Sequence, residues 1–205
     1  MQNTPSNVLN DFATLRPTDK FNLGYVDEFY QKHFETRQHT TKSVLEIGIY
    51  GGESILLWHD YFYNAKVYGL DIQPRPNKRE FQQPDNRLVV LDQTDAYNTN
   101  MINSLRAMEP AGYDIVIDDG PHTFESMVFY VMNYLPLVKR GGIFVLEDII
   151  DLNWTPILRN LIDETLKNFA PSSKRFYYDM RGKQKTKFLY DHWMKGLDIL
   201  VVEVE

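Results

Sequence analysis

Four acids and one histidine in this chain are spaced so that they could hold a cation and move a proton. Asp118 and Asp119 end the apolar run YDIVIDD, and Glu147 and Asp148 end the run GIFVLED. Brought to one point, Asp119, Glu147 and Asp148 repel one another unless a cation sits between them. An all-oxygen donor set of this kind suits Mg2+ or Ca2+. His122 follows in DDGPH, where Gly120-Pro121 turns the chain and presents the imidazole beside the acids. An imidazole titrates near neutral pH and can take a proton from a hydroxyl, which a divalent ion would acidify. Each part has a plainer explanation. Asp118 or Asp119 would cap a helix starting near Thr123, His122 would bond backbone at the turn, and Glu147-Asp148 would be solvated loop acids. Together, the spacing favours transfer of a group to an alcohol oxygen, with His122 as general base.

A second constellation supplies the donor. Residues 43–72, SVLEIGIYGGESILLWHDYFYNAKVYGLDI, read as a buried strand, a glycine turn, an amphipathic helix and a second strand ending in an acid. Glu46, Gly48 and Gly52 form E-x-G-x-x-x-G, and Asp71 closes the next strand. In such a βαβ unit the glycines admit a ligand close to the backbone, and the distal carboxylate holds ribose hydroxyls. The spacing is wider than G-x-G-x-x-G, which points from NAD toward S-adenosyl-L-methionine. Asp71 is expected on the ribose, with Gln93 near the adenine.

The elements that must position these groups are legible as an alternation. Strands are predicted over 43–49, 66–72, 87–93, 113–119, 141–148, 174–180 and 199–204. Helices are predicted over 52–62, 98–107, 123–135 and 155–169. Near-continuous apolar runs such as VLEIGI and GIFVLED fit parallel strands covered on both faces. The expected fold is α/β: a doubly wound, Rossmann-like, mainly parallel seven-stranded sheet with helices on both faces. The last two strands lack an intervening helix, which predicts one antiparallel strand. Residues 1–40 form an N-terminal helical extension, with a helix near 26–35 expected at the sheet edge, and residues 41–205 form the cofactor-binding domain. In such a sheet ligands sit beyond the carboxyl ends of the strands, where the acids gather.

Bulk properties narrow the partners. The 205 residues carry a net charge of −6, whereas binders of duplex nucleic acid carry a basic surplus. The basic runs Lys78-Arg79 and Lys183–Lys187 read as solvated loops. No cysteine is present, so neither disulfides nor thiolate metal sites can form. No apolar run is long enough to span a bilayer, and the first residues lack the character of a signal peptide. A cytoplasmic protein with a small-molecule hydroxyl acceptor is expected, with no nucleic acid or membrane partner and a possible homo-oligomeric state.

The combination LEIG-x-x-x-G, GLDI, DQTD, IDDGPH and LED resembles class I S-adenosylmethionine-dependent methyltransferases. More narrowly, it resembles the metal-dependent macrocin and mycinamicin sugar O-methyltransferases, from about Thr18 through Asp148. The resemblance implies Mg2+ on Asp119, Glu147 and Asp148, His122 as base, and Asp118 and Gln93 facing the cofactor. Thr18-Asp19-Lys20 and Tyr25 resemble a family stretch near the active-site mouth. The cofactor-side residues expected are Tyr25, Glu46, Gly48, Ser54, Asp71, Ile72, Gln93, Thr94 and Asp118. Two departures stand out: Phe21-Asn22-Leu23-Gly24 where relatives often carry a histidine, and Pro121 where they carry serine. The acceptor implied is a sugar or polyol-like hydroxyl, with Phe188–Trp193 and Trp154 as a candidate apolar wall. Methylation of a catechol or phenol is an alternative, as is a non-catalytic S-adenosylmethionine-binding protein. Calorimetry with S-adenosylhomocysteine, with and without Mg2+, discriminates them.

Overall fold

The computed structural model describes residues 9–16, 18–74, 81, 85–183, 185 and 198–205. Its seven strands are β1 (Ser43–Ile47), β2 (Lys66–Leu70), β3 (Leu88–Leu91), β4 (Tyr113–Asp118), β5 (Val138–Ile149), β6 (Lys174–Asp179) and β7 (Asp198–Glu203). They form one sheet in the order β3-β2-β1-β4-β5-β7-β6. The pairs β3–β2, β2–β1, β1–β4 and β4–β5 are parallel. Strand β7 lies between β5 and β6 and runs antiparallel to both, which is the antiparallel strand expected from the missing helix. The order reverses between β1 and β4, so their carboxyl ends diverge and open a crevice there.

The helices are α1 (Leu9–Leu15), α2 (Asp19–Asn22), α3 (Gln31–Phe34), α4 (Glu53–Tyr61), α5 (Thr99–Met108), α6 (Phe124–Tyr134) and α7 (Trp154–Leu166). Burial in β1 is continuous, as a strand covered on both faces requires. One face of the sheet packs with α5, α6 and α7 around Tyr130, Phe144 and Leu158. The other packs with α4 and the N-terminal helices around Tyr30, Trp58, Ile117 and Val145. The cap of α6 is Thr123, whose side chain accepts from the Ser126 amide in a reciprocal capping box. Asp118 and Asp119 are therefore free of the capping role that could have explained them.

The N-terminal helices differ from expectation in place and in winding. Val26, Phe29, Tyr30 and Phe34 share a buried cluster with central-strand residues Ile115 and Ile117, so they cover a face of the sheet and not its edge. Val26–Tyr30 is wound as a π-helix, closed by the Gln31 N–H on the Val26 carbonyl. In an α-helix, residues five apart lie about 140° around the axis from each other. The wider turn brings Tyr25 and Tyr30 closer to one face, and both hydroxyls reach the acids of β5.

Candidate active site

The acids at the strand ends do not all face the same way, and backbone geometry decides which do. Successive residues of a strand point to opposite faces. Asp118 accordingly turns toward α6 and accepts a hydrogen bond from the Tyr97 hydroxyl, while Asp119 turns to the opposite side. Glu147 and Asp148 should diverge in the same manner. They do not, because the β5–β7 register shifts between Leu146 and Ile149 and Asp148 takes φ 55°. This irregularity lets both neighbouring acids meet the N-terminal helices: Tyr30 donates to Glu147 and Tyr25 donates to Asp148.

Among the described residues, four non-glycine positions at this end of the sheet adopt left-handed backbone: Tyr50, Gln93, His122 and Asp148. Each such residue costs on the order of 1–3 kcal/mol and persists only where the surroundings enforce it. Their concentration beyond the carboxyl ends of the strands marks this rim as built for a purpose other than stability.

A cavity of about 530 Å3 opens between β1 and β4. On one side it is lined by Gly48, Tyr50, Asp71, Ile72 and Thr94, and on the other by Tyr97, Asp119, Pro121 and His122. Gly48 has φ 80°, and an added Cβ would overlap the Asp119 carbonyl oxygen, so only glycine fits there. Asp71 Oδ2 accepts the Ile49 and Tyr50 amides at 3.0 and 2.8 Å, and Oδ1 accepts the Gln73 amide at 2.8 Å. The carboxylate expected on a ribose therefore also fixes the glycine turn. With both Oδ2 sites taken, a lone pair remains on Oδ1.

His122 Nε2 lies 3.7 Å from Asp119 Oδ1 and 3.7 Å from Asp148 Oδ2. One ligand atom from each of these three residues falls within 4.8 Å of the others, so the two carboxylates could hold a divalent cation with the imidazole beside it. Burial holds the His122 pKa below its usual value, although Asp148 opposes this, so the imidazole is neutral at neutral pH. Glu147 is fully buried, and its oxygens are engaged by Lys20 and Tyr30. Lys20 Nζ lies 2.7 Å from Asp119 Oδ2, is ion-paired with Glu147 and sits 3.4 Å from Glu46 Oε1. Burial alone would lower the Lys20 pKa, but the Asp119 and Glu147 carboxylates outweigh it and raise it well above the usual value. The ammonium is thus the charged cation of the cluster.

Of the residues expected from sequence, Gly48, Asp71, Ile72, Thr94, Asp119 and His122 line the main cavity. Asp148 reaches it through its contact with His122. Glu46 is fully buried, accepting from Ser54 Oγ at 2.7 Å, so neither the acid nor the serine belongs to the main cavity wall. Ser54 instead borders a smaller cleft of about 250 Å3 with Thr18, Asp19 and Asp119. Asp118 sits behind Tyr97, and burial pushes its carboxyl up to about 7. Tyr25 braces Asp148 and is itself buried, and Gln93 is exposed with left-handed backbone outside the cavity wall. Sequence reasoning gave Tyr30 and Tyr97 no part in the site, and their spacing carries no signal for one. Lys20 was visible only within the TDK stretch. Trp154 packs on Phe124, with ring centroids 5.5 Å apart. The rest of the expected wall, Phe188–Trp193, lies outside the described residues, as do Lys78-Arg79 and most of 183–187.

A family profile described as a methyltransferase domain matches residues 45–149, just over half of the chain. The chain belongs to this methyltransferase family. Its sheet order and mixed edge agree with the fold expected of class I members. Among curated relatives, the 8-demethyl-8-alpha-L-rhamnosyl tetracenomycin-C 2'-O-methyltransferase of Streptomyces olivaceus is 31% identical over 176 residues, 82% of this chain and 44% of the relative. The demethylmacrocin O-methyltransferase of Streptomyces fradiae is 32% identical over 154 residues, 71% of this chain and 37% of the relative. This chain therefore spans less than half the length of those relatives. The solved MycE methyltransferase of the mycinamycin biosynthetic pathway, in complex with Mg, SAH and mycinamycin VI, superposes with a TM-score of 0.72 at 23% identity. That superposition covers 98% of this chain and 55% of the other, and establishes the family fold. Among the described residues no helix is long and apolar enough to cross a membrane.

Proposed function

We propose that this chain transfers a methyl group from S-adenosyl-L-methionine to a hydroxyl of a sugar or polyol-like small molecule, assisted by Mg2+ or another divalent cation. The observation that carries this reading is the His122 imidazole, facing Asp119 and Asp148 across one end of a cavity whose other end is the Gly48–Asp71 crevice. The curated relatives named as sugar O-methyltransferases support the same acceptor class.

Gly48, Ile72 and Thr94 border the space for the cofactor, and Asp71 Oδ1 offers an acceptor site to a ribose hydroxyl. Asp119 and Asp148 would hold the cation, while Glu147, expected as a third ligand, has its oxygens engaged by Lys20 and Tyr30. When bound, the cofactor supplies an electrophilic methyl and the cation lowers the pKa of an adjacent hydroxyl. His122 takes the hydroxyl proton on a ring nitrogen, which burial keeps free at neutral pH. Asp148 Oδ2 faces that ring at 3.7 Å, while Tyr25 donates to its Oδ1. The cavity between β1 and β4 would hold donor and acceptor in line, and positioning of this kind supplies much of the rate in a direct displacement. The net charge of −6 argues for a small neutral acceptor over nucleic acid, and a cytoplasmic setting fits the cysteine-free sequence.

The deciding experiment measures methyl transfer to a panel of glycosides and catechols, with and without Mg2+. Transfer to a sugar hydroxyl that stops on chelation supports the reading. Transfer confined to catechols would replace the acceptor class. Binding of S-adenosylhomocysteine without turnover on any acceptor would favour a cofactor-binding protein.

A further inference from the structure

The N-terminal helices contribute a charge to the site that the chemistry above does not use. Lys20 is 1% exposed and lies outside the cavity wall, so its ammonium touches no substrate. It meets carboxylates from three strands: Glu46 of β1, Asp119 beyond β4 and Glu147 of β5. Its backbone is fixed too. The Lys20 amide donates to Asp19 Oδ1 at 2.8 Å and to the capping Thr18 Oγ at 3.3 Å. The two oxygens of Asp119 are thereby divided. Oδ2 is held by Lys20, and Oδ1 is left facing His122 and Asp148.

We propose that Lys20 is a positioning residue for divalent-cation binding, a built-in charge that orients Asp119 and Glu147 and offsets their negative charge. This rests on the reading that a divalent ion binds at Asp119 and Asp148. A structural tie alone would hold the strands together with no particular consequence for an ion. A fixed ammonium beside the ligands has an opposite pair of effects. It sets the geometry that the reaction needs, and it repels the ion that the same carboxylates attract. The repulsion between a single and a double positive charge a few ångströms apart is worth well over tenfold in affinity, even at high effective dielectric. Removing the ammonium is therefore expected to tighten ion binding even where one carboxylate is less well oriented.

The test titrates Mn2+ into the full chain by calorimetry and by electron paramagnetic resonance, comparing wild type with Lys20→Gln and Lys20→Arg. The expected result is about tenfold tighter Mn2+ binding in K20Q, together with a kcat about tenfold or more below wild type. S-adenosylhomocysteine affinity should be unchanged in K20Q, and K20R should bind Mn2+ within about threefold of wild type. Folded K20Q with equal or weaker Mn2+ affinity overturns the role of Lys20. Failure of wild type to bind Mn2+ overturns the ion reading and this inference with it. Should K20Q not fold, electron–nuclear double resonance on wild type with 15N-labelled lysine decides the matter. A dipolar coupling from a lysine nitrogen close to the bound ion upholds the proposal, and its absence removes it.

Discussion

Tyr25 donates its hydroxyl to Oδ1 of Asp148, whose other oxygen lies 3.7 Å from Nε2 of His122. A side chain from the N-terminal segment thus fixes the carboxylate that faces the candidate base, across 123 positions of sequence. A hydrogen bond to a charged group is worth about 1.5–3 kcal/mol. Tyr25→Phe should therefore lower kcat by about tenfold or more, with S-adenosylhomocysteine affinity unchanged. Steady-state kinetics beside calorimetry check this, and an equal fall in cofactor affinity would move Tyr25 to the cofactor side.

His122→Ala removes the proton acceptor and leaves the Gly48–Asp71 crevice in place. Turnover should be lost while S-adenosylhomocysteine binds within a few-fold of wild type. Retention of wild-type kcat in single-turnover assays would disprove the assignment of the base.

Asp71 has two duties, and its replacement should show both. Asp71→Ala frees the Ile49 and Tyr50 amides as well as the ribose site. The cofactor Kd should rise by about tenfold or more, since each lost hydrogen bond to a charged group costs about 1.5–3 kcal/mol. Melting temperature should fall in the same variant even without ligand, which calorimetric melting would detect. Loss of affinity with no change in melting would mean that the turn holds itself.

Gly48→Ala tests the close approach of β1 to the chain beyond β4. The backbone there is left-handed, and a methyl group would overlap the Asp119 carbonyl oxygen. Strain and overlap together should cost about 2 kcal/mol or more. In a chain of this size that lowers Tm by roughly 5 °C. An unchanged Tm would show that the turn can open without penalty.

His33 gives a pH dependence distant from the site. Its Nδ1 lies 2.9 Å from Glu203 and its Nε2 lies 2.8 Å from the Tyr178 hydroxyl. Glu203 favours protonation and Arg37 and Lys32 oppose it, but burial dominates and lowers the pKa from 6.5. The neutral ring then serves both partners, donating to Glu203 and accepting from Tyr178. A depressed folded pKa means that the unfolded chain binds the proton more readily. The contribution is therefore complete above the unfolded value of 6.5 and is lost as pH falls through the folded one. Thermal melts should show wild type losing more stability than His33→Gln between pH 7.5 and the folded pKa. Parallel curves would refute it.

Much of the fold and part of the site could be read from the chain alone. Strand and helix periodicities located all seven strands and the four longer helices of the sheet domain. The missing helix before β7 announced the antiparallel strand. The glycine turn, Asp71, Asp119 and His122 were legible because strand-end position and local turn chemistry fix where they sit. Position along a strand could not say which of two adjacent acids faces the cavity. Alternation sent Asp118 behind Tyr97, whereas the irregularity in β5 kept Glu147 and Asp148 together. The π-wound turn and the burial of Lys20 were equally silent. They arise from contacts between the N-terminal segment and strands far along the sequence, and long-range packing leaves no periodic trace in a chain. Sequence determined the scaffold and the kinds of groups at its crest. Tertiary packing decided their partners, because burial and charge pairing are properties of neighbours that only folding supplies.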